Sequence, residues 1–145
     1  MKYILLTTGV ILLYVSCKPS QTNRLAERGS REVYVYSFKM TYFKKMLLSG
    51  FDNSAAIKTV VASDQSGYSE IVLSMDDFRF IDSVVAADRA KLSADSLAGI
   101  GRVAEGAGGK RVFDCALARY ESKWLNDAAT RRSRYYVDAA SGLNQ

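Results

Sequence analysis

Apolar residues recur at helical spacing in five stretches of this chain. From Val33 to Leu48, the residues Val33, Tyr36, Met40, Phe43 and Leu47 follow a three-four rhythm, although Val33-Tyr34-Val35-Tyr36 alone has strand-like composition. The rhythm predicts a helix, closed by Gly50 with Phe51 folding back onto its last turn. Asp52-Asn53-Ser54 is suitable helix-entry chemistry, and Ala55 to Ala62 carries Ile57, Val60 and Val61 on one side. Ser63 to Gly67 reads as a turn, and Tyr68 to Leu73 is compatible with either a helix start or an extended piece. Ser74 is placed to cap a third helix with Asp76 and Asp77 in its first turn. Phe78, Ile81, Val85 and Leu92 give this helix its apolar stripe, with Asp82 and Arg89 outside it. Ser93-Ala94-Asp95-Ser96 offers the next cap, before a fourth helix with Leu97, Ile100, Val103 and Ala104 on one face. Gly99 and Gly101 in that stretch cost about 1 kcal/mol each relative to alanine, which argues for close helix approach. A fifth helix from Lys110 to Ala129 would bury Phe113, Leu117, Tyr120 and Trp124, with Val112 and Ala116 alongside. The pattern predicts an all-α single small domain of about five helices with short connections.

The first residues change the picture of where the domain works. Met1-Lys2 precedes an uncharged, mostly apolar run from Tyr3 to Val15, then Ser16-Cys17 and polar Lys18-Pro19-Ser20-Gln21. This order reads as a secretory signal, and the run is shorter than the roughly 20 apolar residues of a bilayer span. The small residue before a cysteine resembles a bacterial lipoprotein signal, which implies cleavage of residues 1–16 and lipidation of Cys17. Residues 17–30 then read as a flexible tether, 31–130 as the helical domain and 131–145 as a basic, disordered tail. The net charge of +5 owes much to Arg131, Arg132 and Arg134 in that tail. Beside Tyr135-Tyr136 they suit anionic headgroups or an acidic partner, or simply a solvated terminus; an exported protein is not expected to bind nucleic acid.

Candidate chemistry is sparse. The absence of histidine removes the commonest general base and metal ligand, so neither a metal site nor a cofactor is expected. Cys115 lies mid-helix beside Asp114, with Arg111 and Arg119 a turn away on either side, an arrangement that would lower its pKa. Without a histidine base, a buried small hydrophobe is the plainer reading. Gly106-Ala107-Gly108-Gly109-Lys110 runs into a helix as a phosphate loop does, but a helix precedes it and Arg111 stands where a serine or threonine belongs. The stretch reads better as a loop free to turn sharply or enter a cleft, with Glu105 offered to a partner.

Phe43-Lys44-Lys45-Met46-Leu47-Leu48-Ser49-Gly50, the Asp64-Gln65-Ser66-Gly67 turn and Val112-Phe113-Asp114-Cys115-Ala116-Leu117-Ala118-Arg119-Tyr120-Glu121-Ser122 resemble the Tai family. These are type VI secretion amidase immunity proteins, of the fourth class, and the resemblance covers residues 37–129. It implies a small helical periplasmic inhibitor, commonly a homodimer, that performs no catalysis. Such a protein blocks a peptidoglycan amidase effector by pushing a loop into its active-site cleft. The matching loop here is Ala104 to Arg111, which makes Glu105, Gly106, Ala107, Gly108, Gly109 and Lys110 the expected partner-binding residues. Where the family often places a first-helix cysteine that pairs with the last-helix one, this chain has Met46 and Gly50. With the lipid on Cys17, the expected location is the periplasm, at a membrane. The alternative is a structural or adaptor lipoprotein of the cell envelope that holds another protein in a helical groove.

Overall fold

The longest helix, α1 (Gln21–Gly50), touches every other helix in the computed structural model, which describes residues 21–66, 72–100 and 109–142. Its contacts explain its position, because Tyr34, Phe38, Tyr42 and Met46 repeat at four-residue spacing and are fully buried. That stripe lies one position away from the expected one. Val33 and Phe43 only flank the core, and Leu47 is the one predicted position that is fully part of it. Tyrosine is the reason for the shift: two of the four buried positions carry hydroxyls whose partners come from distant parts of the chain. The helix also starts at Gln21 rather than Val33, which replaces most of the expected 17–30 tether with helix.

After α1 the backbone turns through Asp52 and Asn53, both in the left-handed region at φ 54° and 55°. Ser54 then leads into α2 (Ala55–Ser63), a surface helix with no buried residue. Phe51 does fold back, with its N–H on the Leu47 carbonyl and its ring 5.5 Å from that of Phe113. The turn at Asp64 is held by Ser66, whose N–H and hydroxyl both donate to Asp64 Oδ1, and by Lys44 on Asp64 Oδ2 at 2.9 Å. Those contacts hold the Asp64 pKa down to about 2.

Ser74 caps α3 (Met75–Leu97) as the sequence suggests, through a reciprocal capping box with Asp77. Ile81, Val85 and Leu92 face inward, joined by Val84. The cap expected at Ser93 to Ser96 is not used, since α3 continues through Leu97; residues 101–104 of the expected fourth helix lie outside the described residues.

The expected last helix is two helices, α4 (Val112–Glu121) and α5 (Lys123–Gly142). Ser122 makes the break. Its backbone is extended at φ −63°, ψ 139°, and its hydroxyl accepts the Leu125 N–H, as an N-cap serine does. The break resets the apolar phase. Val112, Ala116, Leu125 and Ala129 are buried, whereas Phe113, Leu117 and Trp124 are exposed instead of forming the core stripe. Residues 131–142, expected as a disordered tail, are the second half of α5, with Ser133 fully buried.

Contacts between α1 and α3 rise together in number, Phe38 with Phe80 and Tyr42 with Asp88, so these two helices run parallel. Contacts between α1 and α4–α5 run the other way, from Gly50 with Val112 to Tyr34 with Tyr136. The result is an all-α domain, helical over 82% of the described residues, with no strand among them.

Gly50 fixes the separation of α1 and α4. A Cβ placed there would lie 2.5 Å from Val112 Cγ1. Gly50→Ala is therefore expected to destabilise the fold by about 1 to 3 kcal/mol despite the better helix propensity of alanine. Urea unfolding of this variant and of Gly50→Ala with Val112→Ala checks it: the second change should recover part of the loss.

Candidate functional site

The α3–α4 connection is closed at its base by named contacts. Gly99 at φ 70° and Gly109 at φ 126° turn the backbone where side-chain-bearing residues are strained, and the Ser96 hydroxyl donates to the Gly109 carbonyl at 3.2 Å. Lys110 then pairs with Asp52 Oδ2 at 2.8 Å, while Arg89 holds the other oxygen of the same carboxylate at 2.9 Å. These two cations hold the Asp52 pKa below the usual carboxylate range through their hydrogen bonds. Asp52 thus ties α3 and the start of α4 to the α1–α2 turn.

Of the expected partner-binding residues, Gly109 and Lys110 form this base. Gly109 is exposed with open space where a Cβ would be, and Lys110 is half-buried on Asp52. Glu105, Gly106, Ala107 and Gly108 lie outside the described residues, as does Cys17. Around the base stand three apolar side chains that a water-facing surface does not require: Leu97 is 89% exposed, Ile100 62% and Phe113 54%.

Two buried aspartates lock the helices that carry this surface. Asp88 on α3 receives the Tyr42 hydroxyl of α1 at 2.8 Å and a bidentate pair from Arg119 of α4, Nε at 2.8 Å and Nη2 at 2.6 Å. One level down, Asp77 receives Arg132 of α5 at 2.9 Å and caps α3 through Ser74, with the Tyr34 hydroxyl against it. Both clusters therefore combine a tyrosine from α1, an aspartate from α3 and an arginine from the last two helices. A stack of flat groups joins them, since Arg132 lies over Phe80, Phe80 stacks on Trp124, and Trp124 faces Arg119.

Burial is the largest influence on both aspartates and acts to raise their pKa. The hydrogen bonds outweigh it, from Arg119 and Tyr42 on Asp88 and from Ser74, Tyr34 and Arg132 on Asp77, and leave both lowered. The tyrosine hydroxyls move the other way, pushed far up by burial and then by the adjacent carboxylate.

Between α3 and α4 lies a cleft of about 380 Å³, bordered by Lys91, Asp95, Arg111, Cys115 and Arg119. Cys115 is half-buried there, and its thiol pKa is raised, first by burial and next by Asp88. Arg119 does act to lower it, as expected, but burial and the Asp88 carboxylate outweigh that pull. A protonated thiol is a poor nucleophile. Among the described residues no cluster of three or more acidic or cysteine side chains is arranged to hold a metal ion. No helix among them is long and apolar enough to cross a membrane.

Set against known families, curated proteins and solved structures, the chain matches none.

The aspartate clusters make stability pH-dependent with a definite sign. Carboxylates with a depressed folded-state pKa contribute stability above their unfolded value, near 3.8, and lose it as pH falls through the folded value. Unfolding free energy should fall steeply below about pH 4. The Asp77→Asn/Asp88→Asn variant should be less stable at pH 7 and show a flatter acid limb, measured by urea melts across pH; parallel curves for the two proteins would contradict the assignment.

Proposed function

We propose that this chain is a membrane-tethered, non-catalytic binding protein of the periplasm, an immunity protein that inhibits a peptidoglycan amidase effector of type VI secretion. The α3–α4 connection supplies the contact, with residues 104–111 entering the amidase cleft. The observation that carries this reading is the base of that connection: two left-handed glycines and Ser96 close it, Asp52 anchors it, and Leu97, Ile100 and Phe113 stand exposed around it. A pinned base lowers the entropy lost when a loop is immobilised by a partner, and an apolar collar excludes water around the insert.

Lipidation at Cys17 and the periplasmic location belong to the same reading and rest on the order of residues 1–21. The adaptor alternative has one observation in its favour, an aromatic cleft of about 810 Å³ bordered by Phe80, Arg132, Tyr135 and Tyr136. Capture of an envelope assembly rather than a cell-wall hydrolase from membranes would favour it.

The direct test is inhibition of a purified peptidoglycan amidase encoded beside this gene. Leu97→Asp with Ile100→Asp should weaken inhibition at least about tenfold, or about 1.4 kcal/mol, and leave the melting temperature nearly unchanged because both side chains are exposed. Full inhibition by this variant would remove the collar from the interface, and no inhibition by the wild-type chain would refute the reading.

A further inference from the structure

The described cations divide into two groups. Lys44, Lys45, Arg79, Arg89, Lys110, Arg111, Arg119, Lys123 and Arg132 each have a carboxylate partner. Among the described residues Arg28, Arg31, Lys39, Lys58, Lys91, Arg131 and Arg134 have none. All of these except Lys58 and Lys91 lie on α1 or on α5.

Those two segments are neighbours. Arg31 and Lys39 border one cleft of about 350 Å³ with Thr130 of α5, and Tyr34 meets Tyr136 at 5.6 Å between ring centroids. Arg131 follows Thr130, and Arg134 lies one helical turn further on. Glu32 is the acidic residue among those that border this cleft.

The start of α1 decides what faces this seam. Cys17 lies outside the described residues, but it is only four positions before Gln21 of α1, so the two are at most about 14 Å apart. Arg28 lies about 10 Å along the helix from Gln21. A bilayer holding an acyl chain on Cys17 therefore lies within reach of the unpaired arginines.

We propose that the α1–α5 seam, through Arg28, Arg31, Arg131 and Arg134, rests on the anionic phospholipid headgroups of the membrane that holds the chain. This orients the domain, with α1 running from the bilayer toward the α3–α4 connection, so that the candidate contact surface points away from the lipid. The inference rests on the membrane-tethered reading above and is tested separately from it.

The full chain is placed in vesicles of phosphatidylcholine, alone or with phosphatidylglycerol. Flotation reports the tether. Phenylglyoxal modification, followed by peptide mass spectrometry, reports the seam, with Arg89 and Arg111 at the far end of the bundle as references. Arg28, Arg31, Arg131 and Arg134 should react at least about fivefold more slowly on the anionic vesicles, with high salt abolishing the difference. The references should not change. Flotation on both vesicle types with equal arginine rates overturns the seam and keeps the tether. Flotation only on anionic vesicles, with the four arginines protected, keeps the seam and removes the tether. Flotation on neither removes both. Protection in detergent that grows with protein concentration assigns the seam to a second copy of the chain and overturns the lipid proposal.

Discussion

A carboxylate taken out of water must be given back its hydrogen bonds, and Asp88 gets them from two helices at once. Tyr42 reaches it from α1 and Arg119 from α4, which fixes the distance between these helices and the rotation of α4 about its own axis. With Arg119 turned to Asp88 and Ala116 against the core, Phe113 and Leu117 have to face outward. The exposed apolar residues of α4 thus follow from a polar constraint beneath them. Asp77 imposes a second constraint near the other end of α3, and the stack through Phe80 and Trp124 makes the two act on one continuous surface.

The two ends of the bundle are chemically different as a result. At one, Asp52 gathers Arg89 and Lys110, and Arg111 pairs with Asp114, while Leu97, Ile100 and Phe113 are left bare. Along the α1–α5 seam the balance is reversed, with arginines that lack carboxylates. Under the proposals above, the apolar collar suits a protein partner and the unpaired cations a dispersed anionic surface.

Much of the fold was legible in the sequence, and the misreadings share a physical cause. Helical periodicity located α1, α2 and α3, and local chemistry located the Ser74 cap because its partner Asp77 is three residues away. Long-range polar contacts were invisible. Tyr42 and Asp88 are 46 positions apart, Asp88 and Arg119 are 31 apart, and nothing in a single helix pattern marks a tyrosine or an aspartate as buried. The predicted α1 stripe took Tyr36 rather than Tyr34 and Tyr42, because the partners that let those two hydroxyls be buried, Asp77 and Asp88, lie on α3. Ser122 sits in a helix-compatible stretch, so its capping role, which splits α4 from α5 and exposes Trp124, was missed. For the candidate site, the glycines gave the position of a sharp turn, and Gly109 adopts the left-handed conformation they foretold. The anchoring of Lys110 on Asp52 had no signal in the sequence, because its partner lies 58 residues away.

The claim that the buried Asp88 cluster sets the arrangement of α1, α3 and α4 is tested most directly by a double-mutant cycle of Asp88→Asn and Arg119→Met, read by urea unfolding. The account predicts a coupling energy of about 2 kcal/mol, because Arg119→Met leaves the Asp88 carboxylate buried without its cation while Asp88→Asn removes that charge. A coupling near zero, with single-variant losses that simply add, would contradict it.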